Sequence, residues 1–141
     1  LDSLGLAAAI EWQMKEFEER SGIPCQTDLP DEPLNLGREP STALFRILQE
    51  SLTNVVRHAA ATAVETSLHM QHGQILLRIK DNGRGLPAAR LEDPHSVGLA
   101  GMRERALLLG GRCEISGRPG EGTTIEVRLP LPATVQGAGE L

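Results

Sequence analysis

The sequence predicts an α+β fold in which a mixed, mostly antiparallel sheet carries helices on one face. Four strand-like segments occur as two neighbouring pairs, at residues 64–70 with 74–80 and 112–116 with 123–129. Neighbouring strands joined by short connections form antiparallel hairpins. The helical segments each have one apolar side, which suits packing against a single sheet. These observations favour a two-layer sandwich over a doubly wound parallel sheet, which needs strands and helices in alternation.

The composition indicates one globular domain and excludes several classes of partner. The chain has 141 residues, of which 40% are hydrophobic, enough for a substantial core. A net charge of -5 and an aromatic content of 2% argue against nucleic-acid binding, which needs a basic field and stacking rings. No apolar run is long enough to span a bilayer, so we expect no direct membrane contact. Cys25 and Cys113 have no metal-ligand spacing and are interpreted as reduced thiols.

The first predicted helix covers residues 1–21 and ends at Gly22, a residue that commonly terminates helices. Its apolar residues recur at helical spacing: Leu6, Ile10, Met14 and Phe17. Trp12 lies off this stripe. We favour a core position for Trp12, with a contact to a partner as the alternative.

A second helix is predicted for residues 40–59, after a short strand within 23–29. Its apolar side contains Phe45, Leu48, Leu52, Val55, Val56 and Ala59. Spacings of four residues place Glu50, Asn54 and His58 on one polar stripe, with Arg57 beside them. A polar stripe is usually a solvated face, but such a face seldom carries asparagine, a poor helix former. The stripe is therefore a candidate for ligand contacts.

The most informative stretch is the strand that ends in Asp81 and is followed at once by Gly83 and Gly85. Glycine permits backbone with positive φ and lets another molecule approach the main chain closely. A carboxylate at such an edge suits a small, planar ligand that donates hydrogen bonds. An ordinary turn is the alternative, because Asn82-Gly83 is also a hairpin signal.

Two further segments follow this strand. Residues 86–97 are polar and contain Pro87 and Pro94, which predicts a mobile loop. Gly98 and Gly101 precede a predicted helix at 102–109, whose free N–H groups could face an anion, although a flexible helix entry is the alternative.

Several common nucleotide and hydrolase motifs are excluded. The Gly83-x-Gly85-x-x-Ala88 pattern cannot open the helix of a dinucleotide site, because Pro87 interrupts it. The chain contains no Gly-Lys pair, which a P-loop requires. Neither Gly-x-Ser-x-Gly nor His-Glu-x-x-His occurs, so serine-hydrolase and zinc-protease patterns are absent.

Four segments together resemble the catalytic ATP-binding domain of bacterial sensor histidine kinases, which belong to the gyrase, chaperone, histidine-kinase and mismatch-repair ATPase superfamily. Residues 49–59 are similar to its N box, 81–85 to its G1 box, 98–105 to its G2 region and 120–123 to its G3 motif. The residues of the N box and of the G2 region resemble those of the nitrate-sensor-like subfamily. The similarity covers residues 1–130 and implies a two-layer sandwich of the Bergerat type.

The resemblance implies a role for each motif in binding ATP. Asp81 would accept a hydrogen bond from the adenine amine, with Gly83 and Gly85 admitting the base and Thr123 supporting it. Asn54 would hold Mg²⁺, and Arg57 and His58 would reach the phosphates. Gly98 and Gly101 form the glycine-rich start before the predicted helix; Gly101 and that helix would cap the phosphates, and residues 86–97 would form the lid. Glu50 would accept the proton of the attacking imidazole as the catalytic base.

The resemblance also implies a larger signalling protein. Family phosphoacceptors are histidines followed by Asp or Glu, whereas His58, His69, His72 and His95 precede Ala, Met, Gly and Ser. We therefore expect residues 1–22 to connect from a missing dimerisation and phosphoacceptor hairpin, 23–130 to form the catalytic domain, and 131–141 to be a disordered tail. The expected partners are that hairpin and, through the whole kinase, a response regulator with a helix-turn-helix output.

The expected function is transfer of the ATP γ-phosphate to a histidine on that hairpin, in the cytoplasmic part of a two-component phosphorelay kinase. Two alternatives stay open. One is a protein serine kinase of the anti-sigma-factor type, which would need no hairpin. The other is a non-catalytic, nucleotide-dependent interaction module.

Overall fold

Five strands form a single sheet, and the α-helices pack on one of its faces. The structure is a computed structural model that describes residues 5–31, 36–85 and 97–131. Within these residues the helices are α1 (Gly5–Ser21), α2 (Arg38–Asn54), which continues as a π-helical segment (Val55–Ala59), and α3 (Val97–Leu108). The strands are β1 (Cys25–Asp28), β2 (Val64–Gln71), β3 (Gln74–Asp81), β4 (Arg112–Gly117) and β5 (Thr123–Pro130).

The sheet has the strand order β1-β2-β3-β5-β4. Only β1 and β2 are parallel neighbours, and the other three pairings are antiparallel. The β2–β3 hairpin turns through His72 and Gly73, both with positive φ (52° and 73°), as a tight two-residue turn requires. The predicted α+β class and the mixed, mostly antiparallel sheet are confirmed.

The alternation of side chains along the strands decides which residues face the helices. The buried strand residues include Val64, Leu68, Ile75, Leu77, Ile79, Ile125, Val127 and Leu129. Because successive side chains point to opposite faces, the odd-numbered positions of β3 and β5 share the helix-covered face. Asp81 and Thr123 have this parity and pair with each other across β3 and β5. The register therefore places two polar residues at the end of an otherwise apolar face.

Helix α1 belongs to the same core as the sheet. All four predicted stripe residues are buried in it: Leu6, Ile10, Met14 and Phe17. Trp12, however, is 62% exposed, so the favoured core position was wrong. Trp12 is two residues from both Ile10 and Met14, which turns it about 200° away from the buried side. The predicted division of the chain after residue 22 stays a prediction.

The buried side of α2 is offset from the predicted one. It includes Leu44 and Leu48 of α2 and is continued by Val55 of the π-helical segment, whereas Val56 is 61% exposed. One residue along a helix rotates the side chain by about 100°, so Val56 lies past the edge of the buried face. Beyond Asn54 the segment continues as a π-helix, a feature often found at functional sites.

Helix α3 begins five residues before its predicted start, so Gly98 and Gly101 lie within it. Leu99, Met102 and Ala106 are buried at spacings of three and four residues. This burial outweighs the cost of about 1 kcal/mol that glycine imposes on a helix. Of the helices in the described residues, none has the length and apolarity needed to cross a membrane.

Two predicted segments fall largely outside the described residues. These are the loop at 86–97, of which only Val97 is described, and the tail at 131–141, of which only Leu131 is described. Leu131 is buried in the core, and its N–H donates to the carbonyl oxygen of Gly73 at 3.0 Å.

Candidate functional site

Asp81 is a buried carboxylate at the end of β3. It is 7% exposed, and Thr123, its partner across the sheet, is also 7% exposed. The N–H of Gly83 donates to Oδ1 of Asp81 at 2.8 Å. A carboxylate offers about four acceptor positions, so this bond leaves capacity for a further donor. The arrangement suits recognition of an amino group on a ligand.

Burial raises the pKa of Asp81 above the ordinary value of 3.8. Hydrogen bonds from the backbone N–H groups of Gly83 and Thr123 act in the opposite direction, but they do not cancel the loss of hydration. Carboxylates with a perturbed pKa are common at functional sites.

The glycines around Asp81 let two loops pack backbone against backbone. A methyl group on Gly85 would come within 3.0 Å of the carbonyl of Arg118, and one on Gly122 would come equally close to the carbonyl of Asp81. Both glycines have positive φ, 76° and 85°. In addition, the N–H of Gly120 donates to the carbonyl of Arg84. The segment after β3 and the β4–β5 turn therefore form one joined unit beside Asp81.

Asn82, which the sequence places in the G1 box and in a possible hairpin turn, contacts the chain on the other side of this unit. Its Oδ1 accepts hydrogen bonds from the N–H groups of Thr62 and Ala63, both at 2.9 Å. Its Nδ2 donates to Oγ1 of Thr62, also at 2.9 Å. The side chain thus ties the residue after Asp81 to the connection that leaves the π-helical segment. In the sequence, the sign of this role is that an asparagine side chain can both donate and accept hydrogen bonds.

We expect Asn82→Ala to lower the free energy of unfolding by about 1–2 kcal/mol, because three hydrogen bonds are lost while water replaces part of them at this exposed site. Asn82→Asp is the comparison, since it keeps an acceptor for both N–H groups, loses the donor and adds a negative charge at an exposed position. Its effect should be smaller. Urea unfolding of the three proteins tests this, and an unchanged midpoint for Asn82→Ala would contradict it.

A second candidate region is a cleft of about 430 Å³ between α2 and α3. Its described lining comprises Arg46, Gln49, Glu50, Thr53, Arg57, Gly98, Gly101, Met102 and Arg105. Three guanidinium groups and one carboxylate give the lining an excess of positive charge, which suits a polyphosphate. Glu50, Arg57, Gly98 and Gly101 were predicted as site residues. Arg46 and Arg105 were not, although each lies four residues from one of the predicted residues.

The other predicted site residues lie outside the described lining of this cleft. Asn54 is the last residue of α2, is partly exposed and lies outside the described lining. His58 is in the π-helical segment, and its side chain lies outside the described residues. Asp81, Gly83 and Thr123 form the separate unit at the sheet end. Residues 86–96, which connect G1 with α3, are also outside the described residues.

The described residues contain no cluster of three His, Cys, Asp or Glu side chains that could hold a metal ion alone. Mg²⁺ usually takes only one or two protein ligands and shares the phosphates of a nucleotide. The amide oxygen of Asn54, at the end of α2, is a hard oxygen donor of the suitable kind.

Comparison with known proteins gives a consistent family. Residues 39–133 match the family described as "Histidine kinase-, DNA gyrase B-, and HSP90-like ATPase". Sensor histidine kinase LiaS of Bacillus subtilis (strain 168) is 35% identical over 140 residues, covering 99% of this chain and 38% of LiaS. The signal transduction histidine-protein kinase/phosphatase DegS of Brevibacillus brevis is 35% identical over 131 residues, covering 93% of this chain and 34% of DegS. The chain thus spans little more than a third of these relatives.

A solved structure supports the fold. The histidine kinase domain from the blue-light activated histidine kinase of Erythrobacter litoralis EL346 has a TM-score of 0.73 at 21% identity, covering 94% of this chain and 64% of that one. The matched family region includes Asp81, the two loops packed beside it and the residues that line the α2–α3 cleft. The chain therefore belongs to the histidine kinase-, DNA gyrase B- and HSP90-like ATPase family, as a catalytic ATP-binding domain of the sensor histidine kinase type.

Proposed function

We propose that this chain binds Mg·ATP and transfers its γ-phosphate to a histidine on a separate helical hairpin, for relay to a response regulator. The observation that carries the proposal is the buried carboxylate of Asp81, which keeps acceptor capacity beside Thr123. An adenine amine is a donor that fits this acceptor. Guanine presents a carbonyl oxygen at the same position of the ring, and two acceptors facing each other repel. Adenine nucleotides should therefore be preferred.

The cleft between α2 and α3 supplies the phosphate end of the proposed site. Arg57, with Arg46 and Arg105, would neutralise charge on the phosphates, and His58 is the further candidate for this role. Gly101 leaves open space on the cleft side of α3, since a methyl group there would meet no atom within 4 Å. Phosphoryl transfer depends mainly on positioning and charge stabilisation, and these groups provide both.

Glu50 is the proposed proton acceptor. As the hairpin imidazole attacks, the bond from phosphorus to nitrogen forms, the bond to the ADP oxygen breaks, and the imidazole proton passes to the carboxylate of Glu50. Asn54 would hold Mg²⁺ through its amide oxygen. When bound, the ion would neutralise charge shared between the phosphates.

The names of the relatives favour this function over the serine-kinase and non-catalytic alternatives. LiaS and DegS are both named as histidine kinases, and the matched region of each includes the motif-bearing part of this chain. By the same analogy, the proposed partners are a dimerisation and phosphoacceptor hairpin and a helix-turn-helix response regulator. The proposed location is the cytoplasmic side of the signalling system.

Nucleotide choice tests the proposal. Titration calorimetry with Mg²⁺ should show ATP and ADP binding and GTP binding at least about tenfold more weakly, the equivalent of one hydrogen bond lost in a partly desolvated site. Omitting Mg²⁺ should weaken ATP binding, while adenosine should depend little on the ion. Equal affinity for ATP and GTP would refute the assignment of Asp81.

A further inference from the structure

Gly98, in the first turn of α3, lies directly against the side chain of Glu50 on α2. A methyl group on Gly98 would come within 3.0 Å of Oε1 of Glu50 and 3.2 Å from its Cδ. The backbone of Gly98 does not have positive φ, so its conformation does not itself demand glycine. Glycine is needed at this position because the Glu50 carboxylate occupies the space that a side chain would fill.

A buried contact one turn further along α3 fixes this arrangement. Sδ of Met102 lies 3.6 Å from Oγ of Ser51, the residue that follows Glu50, and both side chains are buried. The Ser51 hydroxyl in turn donates to the carbonyl of Ile47 at 2.7 Å. Because Leu99, Met102 and Ala106 of α3 are also buried in the core, moving the helix to accommodate a larger residue at position 98 would disturb more contacts than moving one side chain. The flexible end of Glu50 would move instead.

Gly101 provides the contrast within the same helix. A methyl group at Gly101 would meet nothing within 4 Å, although Gly101 lines the same cleft. The two glycines of this segment thus face different surroundings. Gly101 borders open space, whereas Gly98 borders a side chain that carries a proposed chemical role.

We propose that Gly98 is a positioning residue for Glu50. By leaving the space that the carboxylate fills, Gly98 sets where the proton-accepting oxygen lies relative to the incoming histidine. This inference rests on the proposed function, in which Glu50 accepts the imidazole proton. It gives Gly98 a role that does not require contact with the phosphates.

The test compares Gly98→Ala and Gly101→Ala in the full chain, with a phosphoacceptor hairpin of a sensor histidine kinase supplied in trans. Gly98→Ala should lower phosphohistidine formation at saturating ATP by roughly 10²-fold, the scale of a misplacement of about 1 Å. Its affinity for ATP should change by less than about twofold, and its melting temperature should not fall, because alanine favours the helix. Gly101→Ala, whose methyl group would reach no atom of Glu50, should lower the rate at saturating ATP less than Gly98→Ala does.

A double variant separates positioning from direct phosphate contact. If Gly98 acts through Glu50, adding Gly98→Ala to Glu50→Gln should lower the residual rate no further. Effects that multiply in the double variant would overturn the inference, as would a loss confined to ATP affinity.

A crystal structure of Gly98→Ala decides the positioning inference independently of the chemistry of Glu50. A displaced Glu50 carboxylate on an unmoved α3 supports it, and an unmoved carboxylate overturns it. Should Glu50→Gln transfer phosphate at the unmutated rate, the proposed proton acceptor is refuted. The position of the carboxylate in the Gly98→Ala crystal structure still decides whether Gly98 positions Glu50.

Discussion

Glu50→Gln is expected to reduce phosphohistidine formation by about 10²–10⁴-fold, the usual contribution of a general base. Glutamine keeps the length and shape of the side chain but cannot accept the imidazole proton. Glu50 lines the α2–α3 cleft and rests against Gly98, a position that glutamine can occupy equally well. ATP affinity should therefore stay nearly unchanged while transfer collapses.

The measurement is phosphohistidine formation on a hairpin supplied in trans, with calorimetry of ATP binding in parallel. Glu104→Gln is the matched control, because Glu104 is an exposed carboxylate of α3 outside the described lining of the cleft. Asn54→Ala is a second comparison, expected to weaken Mg·ATP binding and transfer together. Transfer by Glu50→Gln at the rate of the control would show that the cleft only binds phosphates and metal.

Asp81→Asn is expected to weaken ADP binding by about 1–3 kcal/mol, the cost of leaving a donor without its acceptor in a partly desolvated site. The asparagine carbonyl can still accept from the N–H of Gly83, so the local turn should survive. Its amide nitrogen, however, would face the adenine amine as a second donor. Calorimetry with ADP measures the loss, and an unchanged affinity would place adenine elsewhere.

The same substitution should stabilise the protein in the absence of nucleotide. Because burial raises the pKa of Asp81 above 3.8, its protonated form favours the folded state, and this contribution is lost as the pH rises through the folded-state pKa. Asparagine is neutral at every pH. Asp81→Asn should therefore melt at a higher temperature than the parent at neutral pH, with a gap that closes as the pH falls below 3.8.

Thermal unfolding at several pH values measures this gap. Asp28→Asn is the control, because the Asp28 side chain is 76% exposed and its pair with His69 is a surface contact of small value. A gap of equal size at acid and neutral pH would show that the charge of Asp81 is not its cause. Lower stability together with weaker ADP binding would show a structural defect and not a lost contact to adenine.

The features predicted correctly from the sequence are those set by near neighbours along the chain. Helical spacing identified the stripe of Leu6, Ile10, Met14 and Phe17, and all four are buried. Strand alternation predicted β3, and the carboxylate that ends it is buried on the helix-covered face. The order of the four motifs indicated the family. Each of these signals is carried by residues a few positions apart, where backbone geometry alone sets the spacing.

The contacts that complete the site join residues far apart in the chain, so they depend on packing. Asn82 binds Thr62, 20 residues away, and Ser51 meets Met102, 51 residues away. Helix α3 starts at Val97 and not at the predicted residue 102, and the burial of Leu99 favours this earlier start. The family, the sheet and the position of Asp81 at the end of β3 could thus be inferred from the chain alone. The contact between Gly98 and Glu50 could not, because the distance between two helices depends on the side chains packed between them.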